Sequence, residues 1–177
     1  TFEHNSHAIE QTLVTFVPVD DAGGLPVRLQ RLHLRNSSSR RRKLTVTCYA
    51  TVVLGSDPEE TSMHIITKWD LQSKSLFARN SYVPELSERI VFAASTPAPT
   101  SFTGDRTAFI GRNRSLHDPA AMEHERLTGD TGAGLDPCAA LQVVIEIDQG
   151  ETAEVPFLLG QADDEEKVRA LVNRFRD

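Results

Sequence analysis

Apolar and polar residues alternate with a period of two along much of the chain, the spacing of a strand that buries one face. The clearest run is 44–54, with Leu44, Val46, Cys48, Ala50, Val52 and Leu54 on one face and Thr45, Thr47, Tyr49, Thr51 and Val53 on the other. Both faces are fairly apolar, which predicts a strand inside a covered sheet, paired with the preceding strand through the polar turn NSSSRRR. At 8–18, AIEQTLVTFVP is rich in β-branched and aromatic residues and stops at a proline, and DDAGG then turns the chain. VRLQRLHLR at 27–35 changes phase, apolar at 27 and 29 and then at 32 and 34, which predicts a bulge that swaps the buried face. Further strands are expected at 63–68, 75–79, 89–94, 107–110, 141–147 and 152–159. Gly150 in DQGE suits a tight hairpin turn between the last two.

Only the end of the chain has helical periodicity. Val168, Leu171, Val172 and Phe175 form one stripe, with Asp163 as the expected cap and Glu166 closing a capping box. The predicted fold is all-β, an antiparallel two-sheet sandwich over 1–162, followed by a helix over 163–177. That stripe must pack on the sandwich or on a following domain, and the sequence leaves both open. The chain starts at Thr1 directly before a strand and ends on the charged helix, which reads as an excised piece of a longer polypeptide.

Composition narrows the function. With 177 residues, 39% hydrophobic and 25% charged, one ordinary core is expected. A net charge of −6 argues against a nucleic-acid partner, and no apolar run has the length of a membrane span. Cys48 in a strand and Cys138 after a loop proline lack metal or redox spacing and read as two reduced thiols of a cytoplasmic protein.

Most candidate chemistry has a plain structural reading. RRRK at 40–43 is a solvated hairpin tip, and His4, His7, His117 and His124 fit no metal motif. Carboxylate pairs drawn from Asp105, Asp118, Glu123, Glu125, Asp130 and Asp136 are too many to be specific, and no nucleophile elbow, phosphate loop or dinucleotide fingerprint occurs. No catalytic residue, metal site or cofactor is assigned. Trp69 reads as a core residue. The exception is the irregular stretch 102–141, where TGDRTAFIGRN gathers Asp105, Arg106, Arg112 and Asn113. Guanidinium forks and an amide grip sugar hydroxyls or phosphate oxygens, and glycines let backbone approach a ligand. The same residues also suit a loop stitched by Asp–Arg pairs.

EHNSHAIEQTLVTFVPVDD, LQRLHLRNSSSRRRKLTVTCYATVVLG, FARN, TGDRTAFIGRN, GAGLDPCAALQ and FLLGQADDEEKVRALV, in that order, resemble the N-terminal β-sandwich of the glycoside phosphorylases of glycoside hydrolase family 94, formerly glycosyltransferase family 36. The resemblance is strongest to the phosphorylase-like region of cyclic β-1,2-glucan synthases. It implies a galactose mutarotase-like supersandwich, a linker starting near 163, and an (α/α)6 barrel, absent here, that carries the catalytic Asp. It implies a non-catalytic domain that shapes a cleft for glucan and phosphate and supports a homodimer. Asp105 would then orient an Arg, Arg106, Arg112 and Asn113 would touch carbohydrate or phosphate, and Phe109 and Ile110 would anchor the loop. The DPCAAL turn could be structural or cleft-lining. The parent would be an inner-membrane protein with this region on the cytoplasmic side and no direct membrane contact. The rival readings are a self-sufficient carbohydrate-binding module, a mutarotase-like enzyme using a Glu and a His, and a scaffold without sugar contact.

Overall fold

The computed structural model describes residues 1–20 and 23–176. Parts of the expected DDAGG turn, Asp21 and Ala22, lie outside the described residues, as does Asp177 at the end of the expected helical segment. The first strands are β1 (Phe2–Ser6), β2 (Ile9–Phe16), β3 (Val19–Asp20), β4 (Gly23–Gly24), β5 (Val27–Asn36) and β6 (Arg42–Thr51), of which β2, β5 and β6 are the expected period-two runs. After the short helix α1 (Pro58–Thr61) come β7 (Ile65–Asp70), β8 (Ser75–Asn80), β9 (Ile90–Ser95) and β10 (Ser101–Asp105). Helix α2 (Arg106–Ile110), strands β11 (Pro137–Ile147) and β12 (Thr152–Ala162), and helix α3 (Glu165–Arg174) complete the order.

Two antiparallel sheets stack as the expected sandwich. The large sheet has seven strands in the order β1-β2-β5-β12-β9-β8-β7, and the small one has three, β10-β11-β6. Their shared core joins Leu141 and Val143 of β11 to Val155 and Phe157 of β12, Ala93 of β9 and Leu76 of β8. At the far end Ile9, Leu34 and Ile147 close a second cluster against Leu32 and Leu44. Trp69 packs on this core, as expected, with its ring stacked on Phe102 at 3.7 Å and 6°.

Three expectations about pairing are corrected. β5 and β6 are consecutive yet belong to different sheets, so NSSSRRR crosses the sandwich instead of closing a hairpin, and β6 is an edge strand. The same holds for β11 and β12, although Gly150 does take the expected positive φ of 78° in their connection. β5 carries no bulge, because its register to β2 and to β12 runs unbroken. Its phase change has another cause. Val27 and Leu29 face outward under α3, whereas Leu32 and Leu34 face inward toward the small sheet, so one regular strand buries opposite faces at its two ends.

Helix α3 packs on the outer face of the large sheet, burying Val168 and Val172 against Phe77, Phe92 and Leu158. Its cap is Asp164, whose carboxylate accepts the Lys167 N–H at 2.7 Å. Asp163, the expected cap, pairs with the Lys167 ammonium, and Glu166 sits one position too early to close a capping box. Among the described residues no helix is long and apolar enough to cross a membrane.

Asp70 locks this helix to the sheet. Its carboxylate, only 6% exposed, receives both ends of the Arg169 guanidinium, at 2.7 and 3.2 Å, and the Ser73 backbone and hydroxyl. Burial pushes the Asp70 pKa up, but the hydrogen bonds from Arg169 and Ser73 outweigh it and bring it down to about 2. A depressed folded pKa stabilises fully above the unfolded value and is lost as pH falls through the folded one. The Asp70 contribution, on the order of 2 kcal/mol, is therefore expected to disappear between about pH 4 and about pH 2. Urea titrations across that window should show Asp70→Asn less stable near neutrality by about 2 kcal/mol, because Arg169 loses one of its two carboxylate partners and keeps only Glu165, and with a flatter acid profile.

Candidate functional site

The irregular stretch begins where β10 ends. The Asp105 carboxylate accepts the Thr107 N–H at 2.9 Å and caps α2, so 107–110, expected as a strand, is helical. Phe109 and Ile110 are adjacent and both buried, which a helix turn allows and a strand with one covered face does not. Gly111 ends the helix at φ 88°, and a Cβ there would sit 2.9 Å from that of Ala120.

Beneath α2 lies a separate apolar cluster. Phe109, Ile110, Ala121 and Leu127 pack on Cys138, Ala140 and the partly buried Tyr49, whose ring stacks on Phe109 at 4.8 Å. The loop therefore roofs the outer face of the small sheet. Cys138, expected in a loop, is a fully buried residue of β11, so DPCAAL is largely strand. Cys48 lies on the opposite face of the same sheet, in the inter-sheet core, which keeps the two thiols apart and free.

The returning limb of the loop runs beside β10. Leu127 N–H donates to the Ser101 hydroxyl at 3.0 Å, Gly129 N–H to the Phe102 carbonyl at 2.8 Å, and Gly104 N–H to the Asp130 carbonyl at 2.7 Å. Gly104, one of the two glycines of TGDRTAFIGRN that the sequence suggested could admit a ligand, serves an internal contact. Gly104 passes so close to Thr67 that a Cβ would lie 2.5 Å from its hydroxyl, and the Gly132 N–H donates to that hydroxyl at 3.1 Å.

The four candidate residues thus flank one short helix. Arg106 opens it, with its Nη1 donating to Asp136 Oδ2 at 2.8 Å and its backbone N–H to the Asp136 carbonyl at 2.7 Å. The hydrogen bond and charge of Asp136 raise the Arg106 pKa further. The expected pairing of an Arg with Asp105 is corrected: that carboxylate is occupied by the cap, and Asp136 is the partner. Sequence spacing gave no sign of Asp136, since its contact forms only once β10 and β11 pair. Arg112 and Asn113 follow Gly111, exposed, with no side-chain hydrogen bond or ion pair among the described residues. Arg114, which sequence reading passed over, is held by Glu123 at 2.7 Å and Asp118 at 3.7 Å.

This arrangement can donate hydrogen bonds to hydroxyls, carboxylates or phosphate oxygens. Among the described residues no three His, Cys, Asp or Glu side chains are grouped to hold a metal. The Trp69 face that could stack on a sugar ring is covered by Phe102.

Fold and loop together define a two-layer β-sandwich scaffold that displays guanidinium groups at one end. The family model described as glycosyl hydrolase 94, supersandwich domain, matches residues 1–177, and the chain belongs to that family. A cyclic beta-(1,2)-glucan synthase of Rhizobium meliloti (strain 1021) is 38% identical over 153 residues, 86% of this chain and 5% of that protein. A cellobionic acid phosphorylase of Neurospora crassa is 28% identical over 173 residues, 90% of this chain and 21% of that protein. A solved polysaccharide lyase overlaps 96% of this chain and 22% of its own, with a TM-score of 0.49 at 9% identity. The chain thus spans a small part of both curated relatives.

Because Phe109 carries the roof, Phe109→Ala should cost about 3 kcal/mol in urea unfolding and open the 106–126 segment to limited proteolysis at native conditions. An uncleaved loop in that variant would show that the roof is held by its hydrogen bonds alone.

Proposed function

We propose that this chain is the non-catalytic, carbohydrate-associated sandwich of a longer enzyme that makes or phosphorolyses β-linked glucans, and that the 105–113 loop shapes the wall of that enzyme's substrate cleft. The observation that carries this reading is the pair Arg112 and Asn113, exposed and unpartnered among the described residues on a loop whose apolar side is packed into the scaffold. A rigid base with donors left open is what a site for hydroxyls or phosphate requires.

Roles divide within the loop. Arg112 and Asn113 contact glucan or phosphate, Arg106 adds a charge fixed in direction by Asp136, and Asp105 holds the helix that spaces them. The two relatives support the ligand class, since one is named a glucan synthase and the other a phosphorylase. Catalysis, in this reading, belongs to the enzyme's barrel, with α3 leading toward it through a linker. Support of a homodimer and a cytoplasmic position follow from the family resemblance, and the two free thiols agree with a reducing compartment.

Two experiments test the reading. In the full enzyme, Arg112→Ala should raise KM for glucan or phosphate about tenfold, the loss of one charged hydrogen bond, with unchanged thermal stability. An unchanged KM would favour a scaffold without sugar contact. An NMR titration of this chain with linear β-1,2-gluco-oligosaccharides, with and without phosphate, should shift resonances near 112–113 only weakly, because the barrel supplies the rest of the site. Tight binding without it would favour a self-sufficient binding module.

A further inference from the structure

The two edges of the small sheet are treated differently. β10 is lined by the returning loop, whereas β6, ten residues long, pairs among the described residues only with β11. The Val52 N–H donates to the Pro137 carbonyl of β11, in register with the β6–β11 ladder, so the even-numbered residues of β6 bond inward. Lys43, Thr45, Thr47, Tyr49 and Thr51 then direct their backbone N–H and C=O groups to the open side. The strand has no proline and an unbroken register, and its charges, Arg42 and Lys43, stand only at its start. From Leu44 onward the edge lacks the devices that keep strands from pairing. Thr47, at its middle, also has a buried hydroxyl without a hydrogen-bond partner among the described residues.

Beside this edge the large sheet is uncovered. Leu44 and Val46 of β6 lie over Leu32, Leu34 and Ile9, while β2 and β1 continue beyond. By register, Phe2, His4, Ile9, Gln11 and Leu13 share the inner face there, and Phe2 is 70% exposed. That face of β1 and β2 carries no carboxylate, Lys or Arg, and Arg42 of β6 lines the groove beside it. The opposite face of the large sheet is laced with ion pairs, Glu10 of β2 with Arg35 of β5 and Glu154 of β12 with Arg31 of β5. The distribution is that of a core-facing surface left open on one side.

We propose that β6 and the inner face of β1 and β2 receive an extended segment of the longer polypeptide, outside these 177 residues, as a fourth strand of the small sheet. Its residues facing the large sheet would be apolar, in alternation with polar ones. A second copy of β6 does not fit. Antiparallel pairing about a two-fold axis normal to the sheet would put both large sheets on the same side, and each reaches two strands, about 10 Å, past its own β6. The segment comes from the parent because the curated relatives carry this domain within chains of which it covers 5% and 21%. The proposal does not depend on the loop touching sugar.

Hydrogen–deuterium exchange over 43–51 tests it, in this chain and in the full-length parent. The outward amides of Thr45, Thr47 and Tyr49 should exchange freely in this chain at any concentration and at least about 100-fold more slowly in the parent. Fast exchange in the parent would overturn the proposal, and so would protection of this chain that grows with its concentration, which would make a second copy the occupant. Thr47→Pro, which removes one outward N–H, should leave the melting temperature of this chain nearly unchanged and lower that of the parent. Equal effects in both, or a variant of this chain that fails to fold while its wild-type edge amides are already protected, would show that the edge is not free.

Discussion

The inner face of β11 is the constraint on which the layers depend. Leu141 and Val143 are almost wholly buried between the sheets, and each gains its burial only because β12, β9 and β8 stand opposite. Without the large sheet Leu141 and Val143 would face water, so the small sheet takes its burial from the large one. Burial on one side then exposes the other, and each outer face needs its own cover. Helix α3 supplies it over the large sheet and the α2 loop over the small sheet, giving four layers, each resting on the one before.

The long irregular stretch between β10 and β11 meets a structural need of the small sheet. It buries Phe109 and Leu127 over Cys138 and Ala140, and it occupies the backbone groups of an edge strand that has no other neighbour. Only after these demands are met does it leave Arg112 and Asn113 to solvent. Of the two readings that the sequence left open, internal stitching holds for Arg106 through Asp136, whereas Arg112 and Asn113 make no such contact among the described residues.

Strand positions were largely legible because period-two burial is a local property. At 75–79 and 152–159 the expected strands fall within the observed ones, and the family motifs led to the right architecture. Partners were not legible. β5 and β6, and again β11 and β12, adjoin in sequence but separate into different sheets, a choice made by which faces must meet across the sandwich. β5 misled for the same reason, since its phase reports two different covers and not a change in its own backbone. In α2 the apolar pair at 109 and 110 was read as strand when the information lay one turn earlier, in Asp105 as a cap. Beta strand β1, between 2 and 6, was passed over because its face is mostly exposed in this chain. For the candidate site, the residue types were readable and their partners were not.

The two cysteines have a practical consequence. They occupy opposite faces of one sheet, and burial is the first cause that pushes the Cys48 thiol up to about 11 and the Cys138 thiol up to about 12. A thiol reacts as its thiolate, so both are chemically quiet near neutral pH. A cysteine introduced at the solvent-facing position 113 would be the reactive one, without removal of either native thiol. The fold thus carries its own silent background for attaching a spectroscopic label to the loop, and motions of that loop could be followed while the core sulfurs remain where the packing needs them.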